Sequence, residues 1–168
     1  MSAVTDHLGK RGVPFEVISH EQAYTSIDEA RALGLTADEV LKSVLLKTRS
    51  GRVLAVLPGS RRLGKHEMED ALGDKHARFA TEEELERDFP DYELGALPPI
   101  GSLLGMPTLV DPEVMRHETV VFAAGTRAES VRIRTEDLFR DESAVIKPLV
   151  RRSEGDESGG IALSPCSY

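Results

Sequence analysis

The sequence predicts one α+β domain, a mixed and largely antiparallel β-sheet flanked by helices, and three observations point there. The chain has 168 residues, enough to bury one core of its own. Helix-period and strand-period stretches interleave along residues 1–150, which sets aside an all-α or all-β fold. Several strand stretches are separated by turns too short for a crossover helix, so a doubly wound parallel sheet does not fit.

The elements follow in order. Ala3 to Lys10 reads as a short amphipathic helix with Val4 and Leu8 at i,i+4, stopped by Gly12. Phe15, Val17 and Ile18 read as a first strand. Ser26-Ile27-Asp28-Glu29 reads as a capping box, with Ile27, Ala30 and Leu33 as the inward face of a helix ending at Gly34. Thr36 to Glu39 reads as a second capping box on a very short turn. Ser43 to Thr48 and Val53 to Leu57 read as two strands of a hairpin turning at Arg49-Ser50-Gly51. Lys65 to Leu72 reads as a helix ended by Gly73, with Met68, Ala71 and Leu72 inward. Arg78 and Phe79 form a short strand, and Thr81 to Glu84 opens a capped helix bearing Leu85 and Phe89. Gly95-Ala96-Leu97-Pro98-Pro99-Ile100-Gly101 is neither helix nor central strand, because its prolines remove donors. Thr108 to Val110 is a strand, and Asp111-Pro112 follows as an N-cap with proline at the first helical position. Glu118 to Ala123 and Val131 to Arg134 are strands around Gly125, and Thr135 to Phe139 is a last helix. Residues 151–168 are polar and rich in Gly and Ser, and read as a mobile tail.

Composition narrows the function. Lys+Arg 21 against Asp+Glu 29 gives a net charge of −8, which argues against nucleic-acid binding by the whole surface and leaves room for a local basic groove. No apolar run approaches the ~20 residues that span a bilayer, and the first residues lack the apolar core of a signal peptide. The single cysteine, Cys166, excludes an internal disulfide framework and a multi-thiolate metal site. A soluble cytoplasmic protein without membrane contact is expected.

Gly59 to Lys65 matches G-x-x-x-x-G-K between a strand and a helix, as a phosphate loop does. His66 replaces the Ser/Thr that ligates magnesium, however, and Arg61 and Arg62 fill positions where small residues let backbone amides approach a phosphate. The segment reads as a basic turn and helix start, with Arg61, Arg62 and Lys65 able to meet a nucleic-acid backbone. His7, His20, His66, His76 and His117 show no ligand spacing, and Ser102 lacks a nucleophile-elbow context. No metal and no cofactor is expected. Lys42 shares strand parity with Val44 and Leu46. If that face is the buried one, its ammonium needs a partner, a lowered pKa or an anionic ligand; otherwise it sits at the strand end and reaches water. The stiff Gly95–Gly101 loop, with bare backbone groups, suits the wall of a small pocket or a structural crossover.

Taken together these pieces resemble the YbaK/prolyl-tRNA-synthetase-associated domain family of trans-editing aminoacyl-tRNA deacylases, over about Val4 to Leu149. The markers are His20-Glu21 with Thr25-Ser26, Asp38 to Ser43, Lys65 through Gly73, the G-x-x-x-P loop Gly95 to Pro99 with Gly101, Pro107 to Asp111, and Val121 to Gly125. The resemblance implies hydrolysis of the ester joining a wrong small amino acid to the 3′ end of a tRNA, as for Cys-tRNA(Pro) or Ala-tRNA(Pro). It implies that Lys42 is the catalytic residue, holding the terminal phosphate or adenosine. The residues it implies for substrate binding are His20, Tyr24, Thr25, Ser43, Gly95, Leu97, Pro98, Pro99, Gly101, Asp111 and Gly125. The resemblance further implies that loop amides can stabilise the oxyanion and that no protein nucleophile or metal takes part. Misacylated tRNA is the implied partner, with prolyl-tRNA synthetase as a second. Two positions depart from the pattern. Pro98 stands where cysteine-clearing relatives carry a serine, and Phe122 to Gly125 lacks the histidine of alanine-clearing relatives. Pro98 offers neither N–H nor hydroxyl, so the loop is expected to read size more than polarity. A non-catalytic tRNA- or synthetase-binding module of the same fold is the alternative.

Overall fold

The structure is a computed structural model that describes residues 2–140 and 142–151; all of the expected tail over 151–168 except Arg151 lies outside the described residues, Cys166 included. Helix α1 (Ala3–Arg11) is closed at its start by a reciprocal Ser2–Thr5 box and at its end by Gly12 at φ 71°, a conformation that glycine adopts without strain. Val4 and Leu8 are fully buried. Strand β1 (Phe15–Ser19) follows, then α2 (Ser26–Leu33).

The cap of α2 differs from the expected box. Thr25, not Ser26, is the N-cap, and its hydroxyl accepts the Asp28 N–H at 3.0 Å. Glu29 and Ala30 therefore point inward, while Ile27, expected in the core, is 52% exposed. Thr36 likewise caps no backbone amide; its hydroxyl donates to Glu39 beside a 3-10 turn over Ala37–Glu39.

The centre of the molecule is the hairpin of β2 (Leu41–Thr48) and β3 (Gly51–Pro58), in register from Leu41–Pro58 to Thr48–Gly51. Both faces of β2 are covered, and Val44, Leu45 and Leu46 are all fully buried. The Val44/Leu46 face is buried, packing on Met68 of α3 (Lys65–Leu72), and the opposite face is buried as well, with Leu45 entering the main core. Short β4 (Arg78–Phe79) pairs antiparallel with β2, and α4 (Glu82–Asp88) follows, with Thr81 and Glu84 completing its capping box. Gly101, expected in the loop, opens a one-turn helix, α5 (Gly101–Leu104). A Cβ there would meet the Thr108 hydroxyl and the Met106 carbonyl, so only glycine fits.

Strand β5 (Thr108–Val110) pairs parallel to β3, and β8 (Ala144–Ile146) pairs parallel to β5. The five-stranded order is β4-β2-β3-β5-β8. A second, three-stranded antiparallel sheet, β1-β7-β6, is made with β6 (Thr119–Ala123) and β7 (Glu129–Arg134). The two sheets meet at a parallel bridge between Val40 and Val121. Helix α6 (Thr135–Phe139) packs its Leu138 into the main core. The mixed α+β architecture agrees with expectation, with the strands divided between two sheets rather than one.

Candidate active-site cleft

A cleft of about 670 Å³ opens where β2 begins, a size typical of small-ligand sites. One wall is the entry to α2, with Tyr24, Thr25, Ser26 and Ile27. Lys42, Ser43 and Leu45 rise from β2, and the turn Gly59–Arg62 after β3 forms the next side. Ala80 before α4, Leu85 on it and Phe89 at its C-terminal end make it apolar, and the far wall comes from Tyr92 to Gly95 with Leu97. Arg127, in the β6–β7 turn, completes it.

That turn joins the two loop walls. The Gly125 N–H donates to the Ala96 carbonyl at 3.1 Å, and the Gly125 carbonyl accepts the Glu93 N–H at 2.9 Å. On the other side the Ala23 N–H donates to the Arg127 carbonyl at 2.8 Å. The Arg127 side chain lies 4.7 Å above the Tyr24 ring and donates to the Leu94 carbonyl. Gly125 sits at φ 93°, and a Cβ there would press to 3.1 Å on the Tyr92 ring.

The electrostatics are uneven. Burial, and then the charge of Arg62, bring the Lys42 ammonium down to about 8. Among the described residues neither Lys42 nor Arg62 has an ion-pair partner. By contrast, Arg61 is held by Glu113 at 3.0 Å. The N-terminal turn of α2 adds the positive end of its dipole to the same space. The Ser43 hydroxyl is buried with no hydrogen-bond partner. Among the described residues the Gly95 and Leu97 N–H groups have no protein acceptor. Two unpaired cations, spare amides and an apolar floor make a site for an anion joined to a small apolar group.

The model of the aminoacyl-tRNA editing domain matches residues 20–140, most of the chain. The chain belongs to the aminoacyl-tRNA editing domain family. This editing domain is 25% identical over 126 residues to EbsC of Enterococcus faecalis, provisionally named a Cys-tRNA(Pro)/Cys-tRNA(Cys) deacylase. The match covers 74% of this chain and 76% of EbsC. It is 32% identical over 77 residues to a proline–tRNA ligase of Fervidobacterium nodosum, where the shared segment is 46% of this chain and 13% of the ligase. A crystal structure provisionally described as a trans-editing enzyme for prolyl tRNA synthetase superposes with TM-score 0.79 at 24% identity, covering 89% of this chain and 96% of that one. A crystallised hypothetical protein superposes with TM-score 0.81 at 21% identity, covering 89% and 100%. These two likenesses show the fold.

The editing domain gathers Tyr24, Thr25, Lys42, Ser43, Arg61, Arg62, Gly95 and Leu97 around the cleft. Other residues expected at the site lie behind its surface. Pro98 and Pro99 are buried and stiffen the loop from the rear. Gly101 is packed under Thr108, and Gly125 holds the loop through its backbone. Asp111 is buried and accepts the Glu113, Leu149 and Val150 N–H groups at 2.8 to 2.9 Å, which ties the chain after β8 to the sheet. His20 has both ring nitrogens engaged, by the Glu21 carbonyl and the Ser130 hydroxyl. Lys65 is exposed beyond the rim.

The phosphate-loop match has no phosphate cradle. The Gly59, Arg61 and Gly64 N–H groups donate to Val40, Pro58 and Leu149 carbonyls, so three of the loop amides are committed to the fold. Arg127, Tyr92 and Phe89 were not foreseen at the site. Their only sequence signal is an aromatic or an arginine beside a turn, which is common anywhere. Among the described residues no group of His, Cys, Asp and Glu could hold a metal ion, and no helix is long and apolar enough to cross a membrane.

Proposed function

We propose that this chain is a trans-editing deacylase that hydrolyses the ester between a small amino acid and the 3′ end of a tRNA, of the Cys-tRNA(Pro) or Ala-tRNA(Pro) kind. The observation that carries the reading is the pair of unpaired cations, Lys42 and Arg62, at a cleft with an apolar floor on a chain of net charge −8. Burial disfavours the Lys42 charge unless an anion meets it, exposed Arg62 adds a second positive charge beside it, and a tRNA terminus presents phosphate next to the ester.

In this reading Lys42 holds the terminal phosphate, assisted by Arg62 and the start of α2. The aminoacyl group enters between Leu97 and the α4 side. Water adds to the ester carbonyl carbon, and the oxyanion is met by the free N–H of Gly95 or Leu97. The C–O bond to the ribose then breaks, and the proton from the attacking water ends on the released 3′ oxygen. No side-chain nucleophile is required. His20, Pro98, Pro99, Gly101, Asp111 and Gly125 serve by shaping the walls, and Arg61 and Lys65 extend the basic rim toward the acceptor stem. Prolyl-tRNA synthetase is a partner consistent with the similar segment inside proline–tRNA ligases.

The test is release of amino acid from Ala-, Ser- and Cys-acylated tRNA by the wild type and by Lys42→Ala. Turnover by the wild type that falls at least about tenfold in the variant supports the reading. Tight tRNA binding with no ester cleavage would instead make the chain a non-catalytic binding module.

A further inference from the structure

Behind the Tyr24–Thr25 wall, His20, Ser130 and Glu29 form a hydrogen-bonded chain whose proton count is fixed by its geometry. The His20 Nδ1 lies 2.6 Å from the Glu21 carbonyl oxygen. A carbonyl only accepts, so Nδ1 carries a proton. Nε2 lies 2.7 Å from the Ser130 hydroxyl, and that hydroxyl is also bonded to the Glu29 carboxyl. Ser130 owns a single O–H proton. If it points at Glu29, Nε2 must donate, and an imidazolium faces a carboxylate across the serine. If it points at His20, the bond to Glu29 needs a protonated carboxyl. Both arrangements hold one proton more than a neutral imidazole with an ionised carboxylate. Remove that proton, and two acceptors face one donor, with the Ser130–Glu29 end of the chain buried.

The surroundings enforce this count. Ser130 is fully buried and Glu29 is 5% exposed. Burial pushes the Glu29 carboxyl above its ordinary range, against the opposing pull of the Ser130 bond and the His20 charge. The acids next to these residues in the chain, Glu21, Asp28 and Glu129, are exposed or half-buried, and His20 is the charged group that acts on Glu29. The chain also sits at a junction. Glu29 is one turn into α2, and its N–H donates to the Thr25 carbonyl at 2.9 Å. The His20 N–H donates to Ala128 at 2.9 Å and the Ala23 N–H to Arg127 at 2.8 Å. Segment 20–25 and the first turn of α2 are thus tied to β7 and the turn before it.

We propose that His20, Ser130 and Glu29 share one proton and act as a positioning clamp for the Tyr24–Thr25 wall, holding it while the proton is present and loosening it when the proton leaves. None of the three touches substrate. The clamp bears on editing only through the deacylase reading above, but its existence is tested without substrate.

The experiment follows the His20 imidazole nitrogens by NMR against pH, with hydrogen-exchange protection of the Ala23 amide measured on the same samples. In the wild type, Ala23 protection is expected to fall several-fold over the pH interval in which His20 changes state. Glu29→Gln mimics the protonated acid: its amide donates to Ser130, which donates to a neutral imidazole. There the His20 nitrogen signals should respond to pH differently from those of the wild type, because a facing negative charge is gone. Ala23 protection should then be flat with pH. Ser130→Ala breaks the bridge without altering either charge, and should lower protection at every pH. Superimposable His20 curves in wild type and Glu29→Gln would overturn the shared proton. Ala23 protection that ignores the state of His20 would overturn the clamp. If Glu29→Gln does not fold, the wild-type titration and Ser130→Ala decide alone. A protein that shows this coupling yet cleaves no aminoacyl ester would sink the deacylase reading and leave the clamp standing. In an active enzyme, Glu29→Gln should remove the clamp's limb from the pH profile of kcat/KM and leave the limb of Lys42.

Discussion

If Lys42 holds phosphate as proposed, it is where stability and function pull against each other. Its ammonium sits at about 8 in the folded chain because burial and Arg62 oppose the charge. The unfolded chain holds that proton up to the ordinary lysine range, so folding stability rises with pH between about 8 and that range. Phosphate binding has the opposite sign, since it needs the charged form. Editing should therefore decline as pH climbs through about 8, the limit set by the free cleft; a kcat/KM profile flat to well above it would separate Lys42 from the reaction. Lys42→Met removes a disfavoured charge and keeps the stem. It should raise stability by ~1 kcal/mol, the pKa shift discounted for partial solvent access, while lowering editing about ten- to a hundred-fold. Urea unfolding beside a deacylation assay reads both signs. Ser43 makes a companion case. Its buried hydroxyl has no partner, so Ser43→Ala should be neutral or stabilising by up to ~1 kcal/mol. A loss of more than that in the same urea series would show a hydrogen bond in solution.

Among the elements, the β6–β7 turn decides the shape of the cleft, because it bonds the Ala23 loop and the Gly95 loop at once. Gly125→Ala asks an L side chain to hold φ 93° and to press on the Tyr92 ring. It should cost about 1–2 kcal/mol and raise KM more than it lowers kcat, measured on one aminoacyl-tRNA; a KM unchanged with the stability loss in place would mean that the turn does not shape the site. The readable elements were those fixed by neighbours in sequence: the Ser43–Leu57 hairpin with its Gly51 turn, and helices closed by Gly12, Gly34 and Gly73. The unread ones depend on distant partners. Ala144–Ile146 becomes a strand only because β5 lies beside it in parallel. Glu29 looked like the acid of a capping box, yet the cap lies one residue earlier and its real partner, Ser130, is 101 residues away. The same division runs through the site. Lys42 and the Gly95–Gly101 loop stood out because each breaks a local rule, a cation beside an apolar run and prolines between glycines. Nothing local marks Arg127 or Tyr92, which reach the cleft only through the meeting of the two sheets.

At the scale of the whole molecule, a chain of net charge −8 must bind a polyanion through a small patch. With Arg61 held by Glu113, the cleft cations without an ion-pair partner among the described residues are Lys42, Arg62 and Arg127, the last engaged by the Leu94 carbonyl and the Tyr24 ring, with Lys65 beyond the rim. Two or three phosphate contacts give a slope of log affinity on log salt of about −1.4 to −2.7. Arg62→Glu should flatten it by about one, and a slope unchanged in that variant would place the tRNA elsewhere. In the proposed reading the apolar floor selects by size, which discriminates by only ~1–3 kcal/mol per methylene. Ala, Ser and Cys esters should then be processed within about two orders of magnitude of one another. The most direct measurement of the central claim is the rate of amino-acid release from tRNA acylated with alanine, serine or cysteine, with wild type and Lys42→Ala compared at neutral pH. The account predicts that the wild type cleaves all three within that span, and that the variant loses at least about tenfold on each. Release unaltered by the loss of Lys42, or no release from any of the three, would contradict it.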